Sequence, residues 1–379
     1  MQKGDERKER IIAKAREIGF EDIGFTGIEP FTSQLEFLKN PDARYGWTEK
    51  MGLTLEKNTD PLTVLEEGKS LIVLLHSYLQ SAIPVSLMGN FGRCYLNDDR
   101  VTRDGLALRV KELRNFLKEN GINSKLSPGM PDKLAAARAG VGTFGKNCLL
   151  YASRGALKSS FIFPIVIVVD AEFEPDTPSV KTDCPHWCRN ACISACPTRA
   201  LLGNGKIDSQ RCISYLTYHG KELTPLELRE PMGMYIYGCD RCQNVCPRNT
   251  PRLSLRMPED EKLADMSEKF SPEKLLAMDK VYFETFIWPR MFYMSYKTIW
   301  KWKMNAARAM GNSLDKKYIP HLTRAMKAED DERVRAMAAW SLGKLGGDDA
   351  CTALREVFTD EKSDMVKEEI AGALEKLPV

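Results

Sequence analysis

The chain has 379 residues, of which 43% are hydrophobic and 28% charged, and its formal net charge is +3. This length suits two or three domains, and the composition is that of an ordinary globular protein rather than a disordered chain. A net charge this small does not by itself indicate a nucleic-acid-binding protein. The charged N-terminus lacks the apolar stretch of a signal peptide, and no apolar run is long enough to span a bilayer. We therefore expect a cytoplasmic protein without membrane attachment.

The first 170 residues alternate between helix and strand patterns. The spacing of apolar residues predicts helices over residues 6–18, 106–117 and 133–138, the first of them ended by Gly19. Apolar, β-rich runs predict strands over residues 22–26, 70–78 and 161–169. The second run suits a strand that is covered on both faces. We therefore expect an α/β or α+β domain with a central sheet, placed at residues 1–175.

The 11 cysteines are unevenly distributed, because eight of them lie between Cys184 and Cys246. In a reducing compartment, such clustering indicates metal ligands or redox centres more often than disulfides. An acidic, proline-bearing connector precedes the cluster, and we place the cysteine-rich domain at residues 176–255. Three further cysteines are predicted to be packing residues: Cys94, Cys148 and Cys351.

The eight clustered cysteines form two runs that each end in Cys-Pro, with Cys212 alone between them. A [4Fe–4S] cluster takes four thiolates, and in two-cluster ferredoxins the cysteine of the Cys-Pro pair ligates the other cluster. Applying that crossover uses every cysteine once and predicts two [4Fe–4S] clusters. One predicted ligand set is Cys184, Cys188, Cys192 and Cys246. The other is Cys196, Cys212, Cys239 and Cys242.

Zinc is the alternative occupant of these sites, because CxxC pairs also bind Zn²⁺. Eight thiolates and two Cys-Pro endings favour iron and sulfur instead. The first run departs from the usual ferredoxin spacing, since its first two intervals are each one residue longer. His186 is therefore an alternative ligand, although a solvated loop histidine is the simpler interpretation.

The C-terminal part of the chain contains a helical repeat. Three segments align at an offset of about 32 residues, which is typical of the stacked helix pairs of HEAT-like arrays. The small residues at matched positions are Ala307, Ala339 and Ala371. We place these repeats, together with the polar segment that precedes them and is predicted to wrap the cysteine-rich domain, at residues 256–379.

A basic aromatic segment at residues 288–303 opens the repeat region. Its aromatic side chains, interleaved with Lys301 and Lys303 and followed by Arg308, have the composition of a surface that stacks on bases and contacts phosphates. The alternative is a tryptophan-rich helix that seals the tail against the cysteine-rich domain. The sequence leaves both interpretations open.

Several motifs together resemble those of the epoxyqueuosine reductases, a family of cobalamin- and double-[4Fe–4S]-containing enzymes related to the reductive dehalogenases. They read CPTRAL at residues 196–201, RCISYLT at 211–217, YGCDRCQNVCP at 237–247 and AGVGTFGKN at 139–147. Shorter matches lie at residues 23–25 and 59–61, and the resemblance extends to the repeat tail. It implies a nitroreductase-like core, a ferredoxin-like double-cluster insert and a C-terminal α-helical HEAT-like repeat.

The resemblance also implies a cobalamin near the glycine turn of residues 142–147. There Gly142 and Gly145 would allow close backbone approach, and Lys146 and Asn147 would hydrogen-bond the corrin amides. A ferredoxin or flavodoxin would reduce the exposed cluster, and electrons would pass through the second cluster to the cobalamin. We expect the protein to be a monomer.

Two segments depart from the family pattern. Where the family carries a Val-Asp-Thr-Gly segment with its proposed proton donor, this chain reads LSPGMPD at residues 126–132, and DDRVTRD at residues 98–104 replaces an Asp-Tyr-His segment. Both segments would face the substrate, so we expect an altered pocket and poor reduction of epoxyqueuosine. The candidate proton donors are Asp132, Tyr95 and His76. Their structural alternatives are a helix cap for Asp132, a rim position for Tyr95 and a sheet position for His76.

Three functions are compatible with these observations. The favoured hypothesis is a cobalamin-dependent iron–sulfur reductase that reduces a small, non-standard substrate by two electrons. The second is the reduction of epoxyqueuosine in tRNA. The third is a non-catalytic electron carrier or a reductive activator of a corrinoid partner protein.

Overall fold

The computed structural model describes residues 3–40, 45–48, 54–96, 105–155, 158–179 and 182–376. The replaced segment at residues 98–104 therefore lies outside the described residues. The strands are β1 Asp22–Gly27, β2 Ser70–Ser77, β3 Ser124–Lys125, β4 Gly142–Phe144, β5 Leu150–Ala152, β6 Ile162–Val169, β7 Leu201–Gly203 and β8 Lys206–Ile207. The helices of the N-terminal region are α1 Lys3–Ile18, α2 Thr32–Lys39, α3 Arg93–Leu96, α4 Leu106–Glu119 and α5 Asp132–Arg138.

The remaining helices follow in two groups. Those of the cysteine-rich region are short: α6 Ala191–Ser194, α7 Ile213–Tyr218, α8 Leu226–Arg229, α9 Arg241–Asn244 and α10 Thr250–Leu253. Those of the C-terminal region are α11 Glu261–Lys269, α12 Pro272–Ala277, α13 Lys280–Tyr282, α14 Ile299–Ser313, α15 Ile319–Ala328, α16 Glu332–Leu345, α17 Asp348–Asp360 and α18 Asp364–Leu374. None of the helices in the described residues has the length and apolar character that crossing a membrane requires.

Four strands form the N-terminal sheet in the order β1-β2-β6-β3, and every neighbouring pair is antiparallel. The region is therefore α+β, not an α/β fold with parallel strands. All residues of β2 are buried, as predicted for a strand covered on both faces. Ile72 and Leu74 pack with α1 and α4, whereas Leu71 and Val73 pack with α5 on the other side. Successive side chains of β2 point to opposite faces of the sheet, so each face is covered by its own helical layer.

The cysteine-rich region consists of short helical turns and the β7–β8 hairpin, joined by loops. Helix α6 ends at Ser194, just before Cys196-Pro197, and α9 ends at Asn244, just before Cys246-Pro247. Proline disfavours helical backbone at the residue before it, so each helix stops before the cysteine. The thiol of each Cys-Pro pair is consequently free to point away from the helix axis.

The C-terminal helices confirm the repeat. Helices α14, α16 and α18, which carry the three aligned segments, pack side by side. A Cβ atom on Gly311 would lie 2.7 Å from the side chain of Ser341, and one on Gly343 would lie 2.5 Å from that of Ala373. Small residues at matched positions therefore let successive inner helices approach closely, as stacked repeats require.

The nucleic-acid interpretation is wrong for three residues of this region: Lys301, Trp302 and Arg308. Trp302 and Arg308 are fully buried, and Lys301 is nearly so. Lys301 Nζ donates to the carbonyl oxygen of Tyr218 at 3.0 Å, and the Arg308 guanidinium donates to those of Gly233, at 2.7 Å, and Tyr235. Burial lowers the pKa of Lys301 to about 8. These cations satisfy buried carbonyl groups and so seal the repeat tail against the cysteine-rich region.

Candidate electron-transfer and substrate site

The first four predicted ligands line one small cavity. Cys184, Cys188, Cys192 and Cys246 surround it together with Lys146, Asn147 and Tyr151, and we call these four cysteines the first cysteine group. The backbone N–H of Lys146 donates to Cys184 Sγ at 3.3 Å. His186 is exposed on the turn between Cys184 and Cys188, as expected of a solvated histidine. Residues that are far apart in the chain are thus brought together in the predicted set.

The other four predicted ligands line a second, larger cavity of about 350 Å³. Cys196, Cys212, Cys239 and Cys242 form one wall, and we call them the second cysteine group. Backbone N–H groups again face the sulfurs: Ala200 N lies 3.3 Å from Cys196 Sγ, and Arg241 N lies 3.4 Å from Cys239 Sγ. The opposite wall belongs to the N-terminal region and includes Lys133, Phe163 and Pro164. The second cysteine group therefore faces a cavity between two parts of the chain.

Burial makes several of these thiols difficult to ionise. It raises the pKa of Cys192 to about 11 and that of Cys239 to about 12, and it raises the pKa of Cys242 well above its ordinary value. Only a thiolate ligates iron, so assembly of the predicted clusters must release these protons and stabilise the buried negative charge. The arrangement suits thiols that stay protonated until iron binds.

Asn147 and Tyr151 connect the two cysteine groups. Asn147 is buried and lines both cavities, and its Nδ2 donates to Tyr151 Oη at 2.8 Å. The Tyr151 hydroxyl is hydrogen-bonded to the thiol of Cys246, and burial together with this neighbour raises the pKa of Tyr151. Asn147 Nδ2 also lies 3.4 Å from the carbonyl oxygen of Cys242. A short polar bridge thus runs from the first group to the backbone of the second.

A Tyr151→Phe variant should keep both clusters but lower the reduction potential of the cluster in the first cysteine group. A hydrogen bond to a ligating sulfur stabilises the more negative, reduced cluster, and its loss favours the oxidised state. One such bond contributes about 1 kcal/mol, which corresponds to about 40 mV for a one-electron couple. An anaerobic redox titration followed by EPR measures the shift.

Tyr282→Phe is the control, because the Tyr282 hydroxyl donates to the carbonyl of Lys269 instead. Equal potentials in wild type and Tyr151→Phe would contradict the bridge.

The glycine turn predicted to approach a corrinoid has other contacts. A Cβ atom on Gly142 would lie 2.7 Å from Leu150, and one on Gly145 would lie 2.5 Å from both Asn147 and Tyr151. Both glycines are therefore required by packing within the β4–β5 hairpin. Lys146 lies at the first cysteine group, where its Nζ donates to Asn190 Oδ1 at 2.8 Å. Of the four predicted corrinoid residues, Asn147 lines the larger cavity.

The three predicted proton donors lie in different places. Tyr95 lines the second cavity, where its hydroxyl is hydrogen-bonded to Ser214 and burial raises its pKa well above the ordinary value. Asp132 is the first residue of α5, and Pro131 occupies the position before it, so the Asp132 carboxylate lies in the first turn of the helix, near its N-terminus. His76 is buried on β2, and its Nδ1 lies 3.3 Å from Arg109 in a separate cavity of about 720 Å³. Only Tyr95 therefore lines the cavity beside the second group.

Lys133 is a functional candidate that the sequence reasoning missed. Its side chain lines the second cavity, and its Nζ donates to the carbonyl oxygen of Cys148 at 3.1 Å. Lys133 as a whole residue is exposed to solvent, whereas burial around its ammonium group lowers its pKa. Nothing in the local sequence marks this residue, because a lysine at the start of an alanine-rich helix carries no signal for a cavity position. Cys94, one of the three predicted packing cysteines, also lines this cavity.

The lining of the second cavity has groups that suit the cobalamin implied by the family resemblance. A corrin ring is a broad, flat macrocycle fringed with amide groups. The cavity offers apolar side chains such as Phe163 and Leu150, the Lys133 ammonium as a donor, and the Asn147 amide as donor and acceptor. These residues fit contact with the face and amide fringe of such a ring.

Two family models match parts of the chain. A 4Fe–4S double cluster binding domain matches residues 184–249, which hold both cysteine groups. The chain therefore carries an iron–sulfur double-cluster domain, in agreement with the preference for iron over zinc. HEAT repeats match residues 298–375, the region of the stacked helices.

Curated relatives and solved structures match almost the whole chain. Epoxyqueuosine reductase of Bacillus anthracis is 30% identical over 98% of both chains, and that of Listeria monocytogenes is 31% identical over 96% of both. The structure of epoxyqueuosine reductase from Bacillus subtilis with its catalytic loop swung out of the active site has a TM-score of 0.79 and 29% identity, and covers 99% of this chain and 100% of that one. A crystal structure of epoxyqueuosine reductase with an epoxyqueuosine-modified tRNA-Tyr stem loop has a TM-score of 0.79 and 28% identity over 98% of this chain and 99% of that one. The chain is thus an oxidoreductase that belongs to the epoxyqueuosine reductase family.

Proposed function

We propose that this protein reduces epoxyqueuosine in tRNA, with electrons delivered through two [4Fe–4S] clusters. The observation that carries this proposal is the match over nearly the whole chain to a relative whose structure was solved with an epoxyqueuosine-modified tRNA stem loop. The cysteine-rich region and the repeat tail are both retained, so the similarity is not confined to the cluster domain. The hypothesis of a small, non-standard substrate depends on two changed segments alone, and the match over nearly the whole chain favours tRNA instead.

The two cysteine groups suggest a direction of electron flow. The first group lies under an exposed turn that carries Trp187, whereas the second group lines the larger cavity. We therefore assign the first cluster to accept electrons from outside and the second to deliver them to the cavity. Removing an epoxide oxygen as water consumes two electrons and two protons, so two successive one-electron transfers through the clusters serve one turnover.

We infer that a corrinoid occupies the second cavity, held by Asn147 and Lys133 along its amide fringe. When bound, it would supply a strongly reducing, nucleophilic metal centre close to the second cysteine group. The apolar residues on the cavity wall exclude water from the reacting groups. The nitroreductase-like description of the core, the domain limits, the eight cysteine ligands and the monomeric state remain predictions that fit this function.

We further propose Lys133 as the proton donor. The chain lacks the aspartate that the family resemblance places before the alanine-rich helix, and Lys133 brings an ammonium group into the cavity instead. Its lowered pKa makes it a stronger acid than an ordinary lysine. A substituted acid accounts for the changed segment without a change of substrate. Tyr95 is the second candidate, because it lines the same cavity and carries a hydroxyl proton.

Complementation tests the proposal in cells. The gene is expressed in a bacterial strain that lacks its own epoxyqueuosine reductase, and digested tRNA is analysed by mass spectrometry. We expect queuosine to be restored and epoxyqueuosine to disappear. Persistent epoxyqueuosine in cells that contain the protein with both clusters would favour the small-molecule reductase or the electron carrier instead.

A further inference from the structure

Trp187 is unusually placed for a tryptophan. Its side chain is 63% exposed, although it lies between Cys184 and Cys188 of the first cysteine group. Tryptophan is highly buried on average, and a large exposed apolar side chain often marks an interaction site. The 3₁₀ turn His186–Cys188 holds the indole on the outside of the protein, directly over the first cysteine group.

Basic groups accompany this indole. Arg189 is exposed, and the Lys146 side chain is held beside it by the hydrogen bond from Nζ to Asn190 Oδ1. We call the surface formed by Lys146, Trp187, Arg189 and Asn190 the Trp187 face. Asp183 directly precedes Cys184, and its carboxylate is paired with Arg248 Nη2 at 3.6 Å. The Trp187 face is therefore apolar at its centre and positive around it.

The backbone at this surface is strained. Arg189 and Asn190 have φ angles of 47° and 60°, in the left-handed region that non-glycine residues adopt at a cost in free energy. The two strained residues directly follow Cys188 and turn the chain so that Arg189 stays on the surface. Such strain is concentrated at functional sites, where a specific presentation of side chains is needed.

We propose that the Trp187 face docks an acidic one-electron carrier protein that reduces the first cluster. This rests on the proposed function, in which that cluster accepts external electrons. In each encounter the carrier is oxidised by one electron and the cluster is reduced by one, so two encounters supply one substrate turnover. A central aromatic residue with a charged surround is the composition of small, transient protein interfaces. The positive surround attracts a carrier with a negative surface and accelerates the encounter.

Single-turnover kinetics test the docking surface. Reduced flavodoxin is mixed anaerobically with the cluster-loaded protein, and cluster reduction is followed by absorbance at low and high salt. Arg189→Glu and Trp187→Ala should each slow the reduction at low salt, the charge reversal by at least about tenfold because electrostatic steering is lost. Arg355→Glu, an exposed position of α17, makes the same charge change in the repeat tail and should leave the rate unchanged.

Dithionite separates docking from the function on which it rests. Reduction of the clusters by dithionite, and dithionite-driven reduction of epoxyqueuosine, should be the same in wild type, Trp187→Ala and Arg189→Glu.

Unchanged rates with flavodoxin would overturn the docking proposal. Slower reduction by dithionite as well would also overturn it and would make the turn a structural support of the cluster. Weaker binding of the tRNA stem loop at unchanged flavodoxin rates would identify the face as a tRNA surface instead. If wild type fails to reduce epoxyqueuosine while flavodoxin still reduces its clusters, the proposed substrate falls and the docking surface stands.

Discussion

A Cys212→Ala variant is expected to lose one cluster and keep the other, so that bound iron falls from about eight to about four atoms per chain. Cys212 lies outside both cysteine runs and immediately before α7. Its thiol accepts hydrogen bonds from the backbone N–H groups of Ser214 and Tyr215, and burial raises its pKa. Without it, the second cysteine group retains three thiols around a site that needs four. Substrate reduction should fall below detection, because the remaining cluster no longer connects to the cavity.

Iron and sulfide analysis with EPR of the reduced protein measures this loss. Cys351→Ala is the matched control, since Cys351 lies in α17 of the repeat tail, and it should keep the full iron content and both signals. Full iron content in Cys212→Ala would refute the proposed division of the eight cysteines. Loss of both clusters would show that the two sites assemble as one unit.

A Lys133→Met variant is expected to lose about 10²–10⁴-fold in the rate of substrate reduction with its clusters intact. The direction of its pKa shift also predicts the pH dependence. The ammonium form donates the proton, and the pKa of Lys133 lies below its usual 10.5, so activity should decline as the pH rises through that lowered value. Lys133→Arg should lose activity as well, because an arginine keeps the positive charge but does not release its proton. Pre-steady-state rates across the alkaline range measure both effects.

Asp132→Asn is the control for the proton donor, because Asp132 precedes Lys133 on α5 and is not among the residues that line the second cavity. It should retain most of the activity and keep the alkaline decline of wild type. Full activity in Lys133→Met combined with a large loss in Asp132→Asn would make Asp132 the acid. Because Lys133 also contacts the proposed corrinoid, cobalamin content is measured for each variant and rates are compared per bound cobalamin, which separates proton delivery from cofactor retention.

The sequence was sufficient to group the cysteines into two sets that each line one cavity, because the Cys-Pro endings and the single Cys212 leave one crossover that uses each thiol once. Their assignment as cluster ligands stays a prediction. The sequence also predicted that β2 is buried on both faces, because apolar residues occupy both of its alternating faces. It did not determine strand direction, since a strand that is buried on both faces reads alike in parallel and antiparallel sheets.

The residues around the cavity were harder to predict. Lys133 reaches the second cysteine group only because α5 packs on the sheet and thereby faces thiols that follow much later in the chain. Lys301 and Arg308 were misread because their charges suggested phosphate contacts, whereas they satisfy carbonyl groups of the cysteine-rich region. Gly142 and Gly145 match a family motif, yet the packing of the β4–β5 hairpin already requires glycine at both positions.

The most direct test of the proposed function is the conversion of substrate by the purified protein. The protein is loaded with iron, sulfide and cobalamin, reduced with dithionite under strict anaerobiosis, and incubated with a tRNA stem loop that carries epoxyqueuosine. Mass spectrometry of the digested nucleosides then measures both forms. We predict that epoxyqueuosine is converted to queuosine over many turnovers and that the Cys212→Ala protein converts none. Unconverted epoxyqueuosine, with both clusters and the cobalamin present and reducible, would contradict the proposal.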